Sequence, residues 1–190
     1  MAGDSSFTST SLLIKGNAVT AVDSSSVGRI LIAQGNATLS TTNKKYGTAA
    51  ASLDGTGDYF STPITTDLRL GSSDFTLEAW VYKSAANGTS RTVASVWQTS
   101  ALEYWFGIDT SEKLVFYYST NGTSGNFGRI STNTVPLNTW THVAACRASG
   151  TFKLFIAGTQ EYSVADALTY ATVSPAFNRW PRIRAASSGR

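Results

Sequence analysis

Charged residues are scarce in this sequence, and their scarcity is the first constraint on its class. Asp, Glu, Lys and Arg together make up 14% of the 190 residues, whereas an average globular domain has about a quarter. Hydrophobic residues reach 42% and aromatic residues 12%, so the chain is able to bury a sizeable core. Abundant serine, threonine and glycine are typical of an all-β domain whose surface is rich in hydroxyl groups.

Cysteine and histidine are almost absent, with one residue of each type. Cys146 has no partner for an internal disulfide, and the strand-like run HVAACRA around it predicts a buried thiol. No run of about eighteen apolar residues occurs, so we expect no membrane-spanning segment and no membrane partner. The N-terminus lacks the basic start and apolar core of a secretory signal. We therefore expect a protein that is made in a cytoplasm.

The positive charge is concentrated at the C-terminal end. The chain has 15 basic and 12 acidic residues, which gives a net charge of +3. Arg179, Arg182, Arg184 and Arg190 lie after residue 176 with no acid among them, so the preceding residues are slightly negative. A nucleic-acid-binding domain spreads its basic residues over one face. The distribution therefore predicts no nucleic-acid partner and favours a basic tail that docks on an acidic surface.

Short runs of alternating residues are the dominant pattern. In FTLEAWVYK, the residues Phe75, Leu77, Ala79 and Val81 share one side of an extended chain, which indicates a strand with one buried face. About a dozen such runs recur, roughly ten residues apart, between clusters of Gly, Asn, Asp and Ser. No window keeps a helical period, although PITTDLRLG has room for one short turn. The pattern predicts an all-β fold, an antiparallel two-sheet β-sandwich of the jelly-roll type.

Composition also predicts the domain boundaries. We see no internal repeat and no alternation of strands with helices, so the strand-rich part of the chain is expected to be one domain. Residues 1–10 are predicted to form a polar N-terminal arm, residues 11–176 the jelly-roll domain, and residues 177–190 the basic C-terminal tail.

Three blocks of sequence point to a known family. The blocks are YGTAAASLDGTGDYFSTP, LRLGSSDFTLEAWVY and LNTWTHVAACRASGTFKLFIAGTQ. In this order, a Gly-Asp turn, an E-A-W-V strand and an HVA strand with its hairpin resemble the concanavalin A-like, laminin-G-like jelly-roll family, over about residues 12–164. The family's usual closing strand, similar to G-x-I-D-E-hydrophobic-R-hydrophobic, is missing or altered. This departure implies either that the sandwich closes differently or that something else covers a sheet edge.

The stretch at residues 12–50 carries a narrower resemblance. Its leading strand, Asp-Ser-Ser turn and GNA motif are similar to the form common in phage virion proteins. The resemblance implies a non-catalytic virion structural protein of a phage, displayed on or cemented to the particle as a head decoration or fibre-like module. Its expected partners are other virion proteins, and association with further copies of itself is left open. The alternative is a carbohydrate-binding module that adheres to host glycans, and a glycanase is the least favoured hypothesis.

The arrangement of ionisable residues predicts no enzyme and no catalytic residue. Glycoside hydrolysis needs two carboxylates roughly 5–10 Å apart, and glucanases of this fold take them from an E-x-D-x-x-E strand. Glu78 has no acid two residues away. Glu103 and Asp109 are separated by about 20 Å if their strand is extended. His142 and Cys146 share one side of a strand, but no G-x-S-x-G elbow accompanies them.

The stretch SLDGTGDYFSTP offers a possible calcium site. Asp54 and Asp58 flank a Gly-rich turn, and calcium takes several oxygen ligands from such loops. However, no stretch packs three acids at alternating positions. Gly55 and Gly57 are what a tight turn with positive φ needs. We therefore interpret the two acids as turn formers and predict no cofactor, with calcium as the alternative.

Two sets of residues are candidate binding sites. The first is aromatic, because aromatic faces stack on sugar rings, and it comprises Trp80, Tyr82, Trp97, Tyr104, Trp105, Tyr117 and Tyr118. The adjacent pairs in this set place one ring on each side of a strand, so some rings should lie outside the core, although ordinary packing is the alternative. The second set is predicted to dock a partner protein, with the tail tryptophan as its apolar anchor. It comprises Arg179, Trp180, Arg182, Ile183, Arg184 and Arg190.

Overall fold

The computed structural model describes residues 8–15, 21–98 and 101–173. These residues include fourteen strands and the 3-10 turn Thr66–Leu68, which falls in the stretch with room for one helical turn. The strands are β1 (Ile14–Lys15), β2 (Val22–Asp23), β3 (Ile32–Gln34), β4 (Thr38–Ser40), β5 (Ala50–Ser52), β6 (Tyr59–Ser61), β7 (Phe75–Val81), β8 (Arg91–Gln98), β9 (Ala101–Ile108), β10 (Lys113–Tyr118), β11 (Asn126–Thr134), β12 (Thr141–Ala148), β13 (Thr151–Ile156) and β14 (Thr159–Ala165). Within the described ranges, we find no helix with the length and hydrophobicity needed to cross a membrane.

Two four-stranded antiparallel sheets make up most of the fold. The β9 sheet has the strand order β11-β10-β9-β8, and the β12 sheet has the order β14-β13-β12-β7. Their inner sides form one core, with Phe106, Leu114 and Phe116 from the β9 sheet and Phe152 and Leu154 from the β12 sheet, all fully buried. The predicted all-β, antiparallel two-sheet sandwich is confirmed.

Strand β7 illustrates how the sequence positions the outer side chains. Leu77 and Ala79 pack against the core, whereas Glu78 and Trp80 are exposed. Successive side chains of a strand point to opposite faces, and β12 pairs with β7 so that His142 lies opposite Trp80. On β7, every second residue therefore belongs to the outer face of the sheet, where Glu78 and Trp80 are accessible.

The N-terminal strands form three separate two-stranded antiparallel pairs: β1 with β2, β3 with β6, and β4 with β5. Ala37, Leu53 and Phe60 form a second, smaller core there. The loop between β4 and β5 reaches the outer side of the β12 sheet, because the rings of Tyr46 and Trp80 lie 5.6 Å apart between centroids. This contact brings a loop of the N-terminal half to a strand face of the sandwich.

The predicted tail, residues 177–190, lies outside the described residues. The prediction that the closing strand is missing or altered concerns the same part of the chain. Both therefore stay predictions, and so does the boundary between the jelly-roll domain and the tail.

Candidate functional site

Four aromatic side chains form a continuous patch on the outer side of the β9 sheet. Trp105 and Tyr117 are cross-strand partners whose ring centroids lie 5.3 Å apart, with only 21° between the ring planes. Tyr117 contacts Phe127 at 4.8 Å, and Phe127 contacts Trp97 at 6.1 Å, both with their planes steeply inclined. Phe127 is 56% exposed, and the other three are half-buried. We call these four residues the platform.

Two glycines make room for the indole rings of the platform. A Cβ atom on Gly107 would lie 2.7 Å from Cη2 of Trp105, and one on Gly125 would lie 2.8 Å from Cη2 of Trp97. Trp105 Nε1 also donates a 2.8 Å hydrogen bond to Oγ1 of Thr92. The Trp105 indole therefore lies over Gly107 and is fixed there by its hydrogen bond to Thr92. A side chain at residue 107 would prevent this orientation of the ring.

The rings of the platform differ from the other exposed rings in the charges placed over them. Within the described ranges, the cations that lie over aromatic rings are Lys45, Arg129 and Arg147, and the rings they cover are not those of the platform. Burial, together with the Asp109 carboxylate, raises the pKa of Tyr117. Its phenol therefore stays protonated at neutral pH and is able both to donate and to accept a hydrogen bond.

The seven aromatic residues predicted from the sequence do not form one site. Three of them belong to the platform: Trp97, Trp105 and Tyr117. Tyr104 is 2% exposed in the core and donates a 3.3 Å hydrogen bond to the Leu68 carbonyl. Tyr118 packs against the same core, with the Arg129 guanidinium 4.3 Å from its ring centroid. The predicted role in glycan binding is wrong for Tyr104, because strand alternation turns it into the core, whereas for the half-buried Tyr118 it stays a prediction.

The other two predicted residues lie on the opposite sheet. Trp80, which is 39% exposed, contacts both Tyr46 and His142, at 5.6 and 5.4 Å between ring centroids. The Lys45 ammonium lies 4.4 Å from the Trp80 ring centroid. Glu78 Oε2 lies 3.3 Å from His142 Nε2. We call these five residues the Trp80 cluster. Tyr82 lies beside it and contacts Trp140 at 5.6 Å.

Cys146 is partly exposed on the outer side of β12, so the prediction of a buried thiol is wrong. The run HVAACRA alternates correctly, but Cys146 falls on the outward position and the buried positions are taken by Val143, Ala145 and Arg147. Burial still raises the pKa of the thiol, which disfavours the reactive thiolate. The geometry gives no indication that Cys146 and His142 act together.

The two aspartates of the Gly-rich turn are occupied by hydrogen bonds. Asp58 accepts bonds from the backbone N–H groups of Asn36 and Asp54, both at 2.9 Å. Asp54 accepts bonds from the Thr56 N–H at 2.7 Å and from the Asn36 side-chain amide at 3.0 Å. Gly55 has a φ of 91°. This geometry favours the turn interpretation, since each carboxylate oxygen already has an N–H donor.

The acids of the glucanase hypothesis lie in different environments. Glu78 is exposed on β7 of the β12 sheet, whereas Glu103 is buried on β9 of the β9 sheet. Arg69 donates a charged hydrogen bond to Glu103. Burial nevertheless raises the pKa of Glu103 to about 7. In the described part of the chain, no group of three or more His, Cys, Asp or Glu side chains is placed to hold a metal ion.

The predicted partner-docking residues all lie outside the described residues. They are Arg179, Trp180, Arg182, Ile183, Arg184 and Arg190. Docking through the basic tail stays a prediction. The last described residue is Val173, and its carbonyl accepts a 2.7 Å hydrogen bond from Arg69 beside the β9 sheet.

Sequence reasoning missed three residues that the structure brings to the two surfaces. Phe127 lies in NGTSGNFGRIST, where small polar residues hide the strand pattern. Lys45 and Tyr46 lie in TTNKKYG, which has the composition of a loop. An exposed aromatic residue inside a Gly- and Ser-rich stretch is the signal that would have found Phe127. For the other two, no local signal predicts a contact with β7.

Comparison with known families supports the resemblance seen in the sequence. A family model described as the concanavalin A-like lectin/glucanases superfamily matches residues 54–189. The chain belongs to this superfamily. A comparison with curated protein sequences finds no significant match. The match confirms the predicted concanavalin A-like jelly roll, and it begins after the stretch that carried the phage-virion resemblance.

Solved structures of this superfamily's fold include several binding domains of toxins. The binding domain of Paraclostridial mosquitocidal protein 1 has a TM-score of 0.69 at 13% identity, covering 94% of this chain and 44% of that one. The botulinum neurotoxin serotype D binding domain has a TM-score of 0.66 at 15% identity, covering 96% and 49%. A structure of botulinum neurotoxin type C has a TM-score of 0.62 at 16% identity, covering 90% and 46%. The superfamily member described here thus spans less than half the length of these relatives, with which it shares the fold.

Proposed function

We propose that this chain is a non-catalytic binding module that holds a neutral carbohydrate chain on the platform. The observation that carries the proposal is the unbroken contact from Trp105 through Tyr117 and Phe127 to Trp97. The C–H side of a pyranose ring packs against aromatic faces, while its hydroxyl groups need nearby donors and acceptors. The Tyr117 phenol and the Thr92 hydroxyl lie among the rings and are suited to that role.

The solved relatives support binding as the general function. The mosquitocidal protein and botulinum neurotoxin structures are binding domains, and cell entry of botulinum neurotoxin type C depends on interaction with two ganglioside molecules. At 13–16% identity this likeness establishes the fold alone, so the printed binding activities motivate the proposal but identify no ligand for this chain. The choice of a neutral sugar therefore rests on the platform of this chain, whose rings have no cation from the described residues over them.

The phage-virion hypothesis is a separate proposal about where the module is carried. It rests on the resemblance of residues 12–50, and a binding module displayed on a particle would satisfy both hypotheses. Probing purified particles for this chain would test it. Host glycans are the expected partners in either case, because adhesion is the use that a displayed carbohydrate-binding surface would have.

A glycan array followed by titration tests the proposed function. We expect the protein to bind one or more neutral oligosaccharides, and we expect Phe127→Ala and Tyr117→Ala each to weaken that binding by about five- to tenfold, as for a residue at the centre of a binding surface. Phe127 is largely exposed, so its replacement should leave the thermal unfolding midpoint almost unchanged.

The matched control is Ile30→Ala. Ile30 is an apolar side chain that is 77% exposed between β2 and β3, and it takes no part in the platform. This variant should bind like the unmodified protein. The proposal is wrong if no neutral oligosaccharide binds, or if both platform variants retain full affinity for the one that does.

A further inference from the structure

The Trp80 cluster differs from the platform in charge and in position. Its central ring has a cation over it, since Lys45 Nζ lies 4.4 Å from the Trp80 centroid and 5.6 Å from the Tyr46 centroid. The cluster belongs to the β12 sheet and the platform to the β9 sheet. Because the sheets of a sandwich are stacked about 10 Å apart, their outer faces look in opposite directions. One sugar cannot contact both surfaces.

The rings of the cluster form a floor with one wall. Trp80 and Tyr46 meet edge to face at 80°, and they are 39% and 66% exposed. The His142 ring also contacts the indole, with 5.4 Å between centroids and an inclination of 56°. The exposed part of the indole therefore presents an apolar surface beside a phenol, an imidazole and the Lys45 ammonium. Such an arrangement suits one pyranose ring, with hydrogen-bonding groups at its edge.

The charge that lies over the rings of this floor is the positive charge of Lys45. Lys44 and Lys45 are neighbours on the β4–β5 loop. The acidic residue of the cluster is Glu78, and its Oε2 atom lies 3.3 Å from His142 Nε2. Lys44 Nζ donates a 2.8 Å hydrogen bond to the Thr41 carbonyl. The Lys45 ammonium contacts aromatic rings, which leaves its N–H donors available to a carboxylate.

We infer that the Trp80 cluster is a second carbohydrate site that is selective for acidic sugars. The pyranose ring packs on Trp80 beside Tyr46, and its carboxylate pairs with the Lys45 ammonium. Tyr82 and Trp140, in contact at 5.6 Å, extend the aromatic surface along β7 and β12 toward a second sugar unit. The module is then bivalent, with a neutral-sugar surface on one sheet and an acidic-sugar surface on the other. This inference stands on residues that the proposed function does not use.

Titration with matched acidic and neutral probes tests the site. The acidic probes are tetragalacturonate and sialyllactose, and their neutral counterparts are the methyl ester of tetragalacturonate and lactose. We expect at least one acidic probe to bind more tightly than its counterpart, and the difference to shrink as salt is raised. Lys45→Gln should lower the affinity for the acidic probe about fivefold and leave the affinity for its neutral counterpart unchanged. Lys44→Gln is the matched control and should have no effect.

Two further variants identify the floor and separate the two sites. Trp80→Ala should weaken binding of the acidic probe by about tenfold or more. Tyr46→Ala should also weaken this binding, without a change in folding, because Tyr46 is largely exposed on a loop. Phe127→Ala should leave the acidic probe unaffected. The inference is overturned if neither acidic probe binds at millimolar concentration, if each binds no better than its neutral counterpart, or if Lys45→Gln behaves like Lys44→Gln. In each of these cases, Phe127→Ala would still be expected to lose binding of the neutral oligosaccharide. The proposed function would therefore not be contradicted.

Discussion

Glu103 is a carboxyl group on β9 that is 1% exposed. Arg69 donates a charged hydrogen bond to one of its oxygens, and the same guanidinium donates a 2.7 Å bond to the Val173 carbonyl. Burial disfavours the ionised form more than Arg69 favours it, so the pKa of Glu103 rises to about 7 from an ordinary value of 4.5. The folded protein therefore binds this proton more tightly than the unfolded chain does.

The raised pKa predicts a specific dependence of stability on pH. Glu103 contributes its full stabilisation below pH 4.5, and the contribution is lost as the pH rises through about 7. Glu103→Gln removes the titration and keeps the shape. We therefore expect the free energy of unfolding, measured with urea, to fall in the unmodified protein relative to the variant as the pH rises from 4.5 to 7. The relative change should be on the order of 3 kcal/mol at most. Parallel curves over this range would contradict the assignment.

At the scale of the element, the connection between β5 and β6 is held by its own carboxylates. Asp58 joins two turns, because it accepts the N–H of Asp54 in its own turn and the N–H of Asn36 after β3. Gly35 has a φ of 66°, and the Asp58 carboxylate occupies the space that a Cβ atom on Gly35 would need. The connection is therefore specified by side-chain acceptors and by a glycine.

Chelation and substitution separate the turn interpretation from calcium binding. EDTA should leave the thermal unfolding midpoint unchanged, since a ligand that stabilised the native state would lower it on removal. Asp58→Ala should destabilise the protein by about 1–3 kcal/mol, because two backbone donors lose their acceptor. Asp74→Ala, which removes a single exposed bond to the Ser149 N–H, is the control and should cost less. A midpoint that falls with EDTA and recovers with calcium would show a metal site.

At the scale of the whole molecule, one buried carboxylate connects the two sheets. Arg129 of the β9 sheet donates a 2.9 Å hydrogen bond to Asp166, and Arg147 of the β12 sheet lies 3.7 Å from the same oxygen. Tyr170 donates a further hydrogen bond to Asp166. Burial alone would raise the pKa of Asp166, but the hydrogen bonds from Arg129 and Tyr170 hold it below its ordinary value. The segment after β14 is thereby held against the end of the sandwich.

Removal of this carboxylate should destabilise the entire fold. Asp166→Ala leaves two buried guanidinium groups without their carboxylate, and loss of one partner of a buried ion pair typically costs about 3–5 kcal/mol. Chemical unfolding should show this loss as a shift of the midpoint in a single transition. Because the pKa of Asp166 is lowered, its contribution is complete above the unfolded pKa and is lost as the pH falls through the folded value. A variant within about 1 kcal/mol of the unmodified protein would show that solvent replaces the carboxylate.

The local pattern predicted much of the fold. Alternation in FTLEAWVYK is sufficient to predict β7, with Leu77 and Ala79 on the core side, because the two faces of a strand differ in polarity. Adjacent aromatic pairs were predicted to place one ring on each side of a strand, and Trp105 and Tyr117 are indeed the outward members. Which member points outward depends on which face meets the other sheet, and local composition does not contain that information when both residues are aromatic.

By itself, the sequence determined the fold class, the strand positions and the turn chemistry, since these follow from periodicity and from neighbouring residues. Only the tertiary structure decided which aromatic residues share a surface. It divided one predicted aromatic set among the platform, the core and the Trp80 cluster, and it added Phe127, Lys45 and Tyr46. The physical reason is the distance along the chain. Lys45 reaches Trp80 only because the β4–β5 loop folds onto β7, and a contact between residues 35 positions apart leaves no trace in either segment.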